Sequence, residues 1–161
     1  MSIIKYNRKY NYDSHEFRPI LDERGIDTEY FVRHDGEIFS SKAGNDRYYP
    51  NSEDWKKMSW AISGSGKYPK ICLTIDGHRV TKLVHTLVAD AWVCELPRPQ
   101  NVSKNEWNNL SVELKKFIRN AFVVNHIDHN KLNFHPSNLE YCTSTENARK
   151  SVAFYSDLEA A

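Results

Sequence analysis

The sequence predicts an α+β fold, and three observations predict it. Two runs of strand-forming residues are each broken by an Asp-Gly pair, Asp35-Gly36 and Asp76-Gly77, a dipeptide that accepts the positive φ angles of a tight hairpin turn. From Leu83 to Trp92 the apolar residues Leu83, Leu87, Val88, Ala91 and Trp92 recur at helical spacing. Beyond Phe122, a strand, a turn-rich loop and a second strand run straight into a helix start.

The bulk properties set the frame for these elements. A chain of 161 residues and 18.8 kDa has room for one domain and a small extra module. Hydrophobic residues make up 40% and charged residues 27%, which excludes collagen, coiled coil and wholesale disorder. No apolar run approaches the roughly 18 residues of a membrane span. The opening residues mix Lys5, Arg8 and Lys9 with Tyr6 and Tyr10, unlike a secretory leader, so a cytoplasmic location is expected. Cys72, Cys94 and Cys142 are odd in number and form no C-x-x-C pair; all three are expected reduced and mostly buried. The net charge is only +1, but it is unevenly spread. Lys56, Lys57, Lys67, Lys70, Arg79 and Lys82 face only Asp54 and Asp76 across residues 54–85, and acids collect around Asp22 to Glu29.

Taken in order, residues 1–25 are expected to form an N-terminal arm, basic and tyrosine-rich at its start. A β-rich module with a helix follows over residues 26–93. Tyr30 and Val32 with Ile38 and Phe39 flank the first turn, and residues 41–52 read as a loop. Lys70 to Ile75 and His78 to Leu83 flank the second turn, with Arg79 and Thr81 alternating against Val80 to leave one face wet and basic. The helix after Leu83 should end near Cys94. Residues 94–121 form a connector, Pro- and Asn-rich to Asn109, then an amphipathic helix over Ser111 to Asn120 with Leu114, Phe117 and Ile118 inward and Lys115, Lys116 and Arg119 outward.

Residues 122–155 carry the chemistry. Phe122 to His126 is strand-like, Asp128-His129-Asn130-Lys131 is turn-like, and Leu139 to Thr143 is a second strand. Thr143 with Glu146 makes a capping box, in which hydroxyl and carboxylate each satisfy a free backbone N–H at a helix start. Asn125-His126 at the first strand's end, Asn138 in the loop and Asn147 in the helix complete the pattern. This order resembles the HNH nuclease motif on its ββα-metal fold. The strings Asn125-His-Ile-Asp-His-Asn-Lys131 and Asn138-Leu-Glu-Tyr-Cys-Thr-Ser-Thr-Glu-Asn147 are similar in particular to HNH homing endonucleases of phages and group I introns. Tyr30 to Ser40 and Val84 to Trp92 look like the hairpin module and helix that precede the motif in that family.

The resemblance implies a DNA endonuclease acting on double-stranded DNA, phage-encoded and working in the host cytoplasm, with one Mg²⁺ or Mn²⁺ ion and no other small-molecule cofactor. It assigns His126 as general base, Asn125 and Asn147 as metal ligands, and Asn138 as a brace of the catalytic loop. Products would carry 5′-phosphate and 3′-hydroxyl ends. The sequence departs from the common pattern in having Asn125 where aspartate is usual and His129 where glycine is usual. Its chain also ends soon after the motif, so the C-terminal helix-turn-helix of many relatives is expected to be missing. Two neutral amides hold a hard cation more weakly than a carboxylate does, so full loading is expected only when DNA phosphate adds its charge.

Plainer alternatives stand beside these assignments. Basic residues Lys67, Lys70, Arg79, Lys82, Lys131, Arg149 and Lys150 are expected to contact DNA phosphate, although each also suits solvated surface. His85 either packs beside Leu87 and Val88 or supports the site. The whole unit could be an inactive DNA-binding module, or a zinc-stabilised interaction domain using His126, His129, His135 and Asp128. Adjacent strand residues face opposite ways, so Asn125 and His126 share a site only at the strand's end.

Overall fold

The computed structural model describes residues 10–42, 47–62, 66–93, 96, 98 and 101–160. Lys5, Tyr6, Arg8, Lys9 and Cys94 lie outside the described residues. The architecture is α+β, as the sequence predicts. A first antiparallel sheet holds β1 (Phe17–Leu21), β2 (Asp27–Arg33), β3 (Ile38–Ser40) and β4 (Lys56–Lys57) in chain order. A second holds β5 (Ala61–Ile62), β6 (Pro69–Ile75) and β7 (His78–Leu83), and α1 (Val84–Trp92) follows without a linker. Helices α2 (Lys104–Asn108) and α3 (Val112–Asn120) lead into a ribbon of β8 (Val123–His126) and β9 (Leu139–Cys142), then α4 (Ser144–Ala160). No described helix is long and apolar enough to cross a membrane.

The Asp-Gly turns sit where the sequence places them. Asp76 and Gly77 both take positive φ, 50° and 79°, the demand of a two-residue hairpin turn, and Ile75 pairs with His78 across it. In the first hairpin only Gly36 does so, at 87°.

Helix α1 is the axis of the core. Val84, Leu87, Val88 and Ala89 are buried in one cluster with Val32 and Ile38 of the first sheet, Ile71 and Leu73 of the second, and Leu139 and Tyr141 of the ribbon. Burying such side chains contributes roughly 1.5–3 kcal/mol each, so one helix ties three small sheets together. Arg18 on β1 closes its C-terminal end, donating from Nη1 to the Ala91 carbonyl at 2.7 Å and lying 4.4 Å over the Trp92 ring. The far face of the first sheet carries an aromatic cluster in which Phe31 stacks on Trp55 at 4.0 Å, with Phe17 and Tyr12 against the Trp55 ring.

Several expectations need correction. Residues 10–25 are not a free arm: Tyr10 and Tyr12 pack on Phe31, and Phe17–Leu21 is a strand paired with β2. The run Phe-Arg-Pro-Ile-Leu does not alternate cleanly and contains a proline, which hides this strand in the sequence. The connector contains α2, capped by a reciprocal Ser103–Glu106 box. Helix α3 is turned about its axis from the expected orientation. Leu114 is 44% and Phe117 74% exposed, whereas Arg119 points inward. Its guanidinium donates to Asp90 at 2.6 Å, lies 4.4 Å over the Tyr141 ring and bonds the Phe122 carbonyl, and these contacts set the helix rotation. Cys142 is free and buried, but Cys72 is exposed, on the outward face of β6.

Gly36 couples the first hairpin to the ribbon's loop. A Cβ built there would lie 2.7 Å from Cβ of the buried Phe134 and would need a positive φ. Gly36→Ala is therefore expected to destabilise the protein by about 2 kcal/mol or more, measured by urea denaturation; a change near zero would mean that the Phe134 contact yields freely.

Candidate active site

The ribbon's register fixes what each residue of the motif faces. Asn125 pairs with Glu140 and His126 with Leu139, so His126, Val124, Leu139 and Tyr141 share the core face toward α1. Asn125 and Glu140 share the opposite face, which α4 covers. Helix α4 starts at the expected capping box, with Thr143 and Glu146 bonding each other's backbone N–H. Along it Asn147, Lys150, Ser151 and Phe154 follow a helical stripe. Lys150 and Phe154 of that stripe touch the ribbon and its loop.

His126 is 4% exposed. Its ring lies 4.9 Å from that of His85 on α1 and 6.1 Å from that of Tyr68, and Tyr68 lies 5.0 Å from His85. Nε2 of His126 and Nδ1 of His85 are both shut off from solvent without a hydrogen-bond partner. Such orphaned groups are rare in folded proteins and cost about 1–3 kcal/mol each. Burial holds His126 below its ordinary pKa; Lys131 and His129 add to the effect, and Asp128 opposes it. His85, also 4% exposed, is pushed down to about 4, chiefly by burial and further by His126 and Arg119. Both imidazoles are therefore neutral at pH 7.

The loop after His126 is held by its own amides. Asn138 is buried; its Oδ1 accepts from the Asp128 N–H at 3.0 Å, and its Nδ2 donates to Asp128 Oδ1 at 2.8 Å and to the Asn133 carbonyl at 3.0 Å. Asp128 also accepts from Asn133 Nδ2 at 2.7 Å, and these hydrogen bonds, Asn133's foremost, keep its carboxyl below the usual range. His129 has a φ of 58°, which explains why a glycine would suit that position, and its ring stacks on Phe154 of α4 at 4.0 Å.

The basic residues do not form one surface. Lys131 lies beside His126: its Nζ donates to the Gly66 carbonyl at 3.1 Å and sits 4.3 Å over the Tyr68 ring, and Lys67 stands between Gly66 and Tyr68 in the chain. Lys70 and Arg79 share the outward face of the second sheet with Cys72 and Thr74, whereas Lys82 alternates onto the other face with Val80. Lys150 is paired with Glu140 at 2.6 Å, and Arg149 lies with Thr145, Ala148 and Val152 on another face of α4. The zinc reading fails geometrically. His129 is stacked on Phe154, His135 bonds the Ser137 hydroxyl and His126 faces His85. Among the described residues no group of three His, Cys, Asp or Glu side chains is placed to hold a metal.

Residues 116–149 match the family model described as HNH endonuclease. This stretch is similar to HNH endonucleases. The solved structure of the HNH homing endonuclease I-HmuI, described as showing DNA binding and cleavage by that enzyme, shares the fold with a TM-score of 0.55 at 24% identity. The alignment covers 86% of this chain and 58% of that one, so the chain spans little more than half the length of I-HmuI as solved. No curated protein matches. These findings agree with the resemblance carried by Asn125 to Lys150.

Tyr68 and Glu140 escape a sequence reading. Tyr68 reaches His126 only through the fold, and Glu140 meets Asn125 only through a register set across a long loop.

The burial of His85 has a thermodynamic consequence. Between pH 6.5 and 4 the unfolded chain binds a proton here that the folded chain does not, so stability falls as pH falls through that window. Going from pH 7 to pH 5 is expected to cost about 2 kcal/mol from this group. Urea titrations of wild type and His85→Phe at both pH values check this: the variant should lose distinctly less, and equal losses would contradict the assignment.

Proposed function

We propose that this protein is a divalent-metal-dependent endonuclease that hydrolyses phosphodiester bonds of double-stranded DNA, with His126 as general base. The observation that carries the reading is a neutral imidazole fixed at the very end of β8 inside an HNH unit, walled by Tyr68, His85 and Lys131. Nε2 is sealed inward, which leaves Nδ1 as the nitrogen to take a proton from attacking water. Lys131, beside the imidazole, and Lys67, next to Gly66 in the chain, are suited to hold the phosphate backbone as point charges. Asn138 keeps the loop after the base rigid through Asp128.

The side chains on the α4 face fit a hard divalent cation such as Mg²⁺ or Mn²⁺. No described residue donates a hydrogen bond to the amide oxygen of Asn125 or of Asn147, and neutral oxygen donors of this kind suit such ions. Asn125 and Asn147 would hold one ion. When bound, it would supply Lewis-acid relief of charge on the phosphate and the leaving 3′ oxygen. Because β8 stops at His126, a strand of DNA laid across its end meets both faces of the ribbon. The outward face of the second sheet, with Lys70 and Arg79, extends the contact.

His126→Ala is expected to slow Mg²⁺-dependent relaxation of supercoiled plasmid by about 10²–10⁴-fold, with DNA binding retained in a gel-shift assay. Unchanged cutting would remove His126 as base, and no cutting by wild type in Mg²⁺ or Mn²⁺ would favour an inactive binding module. Since burial lowers the pKa of His126, the wild-type rate should be level near pH 7 and decline only below the ordinary imidazole range. A rate that already falls as pH drops from about 8 to 7 contradicts the role.

A further inference from the structure

Asn125 and Glu140 stand directly opposite each other across β8 and β9, on the face covered by α4. Nδ2 of Asn125 donates to Glu140 Oε1 at 2.8 Å, and the same carboxylate oxygen accepts from Lys150 Nζ at 2.6 Å. A side-chain amide has one donor end and one acceptor end, and an ionised carboxylate accepts only. The pairing therefore decides which way the amide points. Nδ2 must face Glu140, and Oδ1, the only end able to bind a cation, must face away from it.

We propose that Glu140 is a positioning residue for the cation site: it locks the amide of Asn125 with its oxygen presented, and Lys150 anchors Glu140 in turn. The inference rests on the reading of Asn125 as a metal ligand and extends it to a residue that need not touch the ion. It also accounts for asparagine at a position where aspartate is common. An aspartate there would set two carboxylates against each other in one cross-strand pair, a destabilising arrangement. Two donors, Asn125 Nδ2 and Lys150 Nζ, converge on the one carboxylate oxygen of Glu140, which therefore acts as an acceptor toward both.

The test uses full-length protein in a His126→Ala background, bound to a short DNA duplex that stays intact, with Mn²⁺ binding followed by electron paramagnetic resonance. Loss of an outer partner of a metal ligand typically costs about 10–100-fold in affinity, and Glu140→Leu is expected to show a loss of that size. Glu140→Gln, which keeps an acceptor oxygen for Nδ2, should stay much closer to the background. Should Glu140→Leu fail to fold, Lys150→Met, a change at a side chain 44% exposed, is expected to weaken Mn²⁺ binding in the same direction by less. Mn²⁺ bound equally by background, Glu140→Leu and Lys150→Met overturns the positioning role alone. A background complex that takes up no Mn²⁺ overturns the metal reading, and the positioning role with it.

Discussion

The alternation of a β-strand governs this site. Asn125 and His126 are neighbours in sequence, yet the pleat sends their side chains to opposite faces of a two-stranded ribbon. A ribbon that short has no stability alone, so each face needs its own wall. Helix α1 and the loop before β6 supply one, around the imidazole; α4 supplies the other, around the amide. The ribbon therefore depends on elements far from it in sequence, and the hairpins upstream support the ribbon as well as offering basic surface.

The two walls differ in chemistry. On the α1 side, His126 meets aromatic and imidazole rings, and burial keeps it neutral. On the α4 side the partners are a carboxylate, an ammonium and amides, and each polar group has a definite role as donor or acceptor. In the proposed mechanism, a proton acceptor and a cation-binding oxygen are thus kept in separate environments although they belong to adjacent residues. Their common boundary is the end of β8, where the Asn138–Asp128 network stiffens the turn.

Much of this was legible in the sequence because the signals are local. Two Asp-Gly pairs mark the hairpins, the spacing of Leu87, Val88 and Ala91 marks α1, and Thr143 with Glu146 marks the start of α4 to the residue. The motif's order from Asn125 to Asn147 carries the resemblance to HNH endonucleases, whose family model matches residues 116–149. What stayed hidden depends on tertiary partners. The rotation of α3 is decided by Asp90 and Tyr141, not by its own pattern. Strand β1 emerges from a segment whose aromatic and apolar residues do not alternate cleanly. The division of Lys70 and Arg79 from Lys82 follows from register, and the pairing of Glu140 with Asn125 follows from a register that the loop between β8 and β9 does not reveal.

The most direct measurement is an anomalous difference map from crystals of the DNA complex grown with Mn²⁺. The account predicts a single peak on the α4 face of the ribbon, within bonding distance of Asn125 Oδ1 and the Asn147 amide oxygen, with a DNA phosphate beside it and the His126 imidazole across the strand end. A peak among His126, His129 and His135 instead, or no ion at the ribbon when DNA is bound, would contradict it.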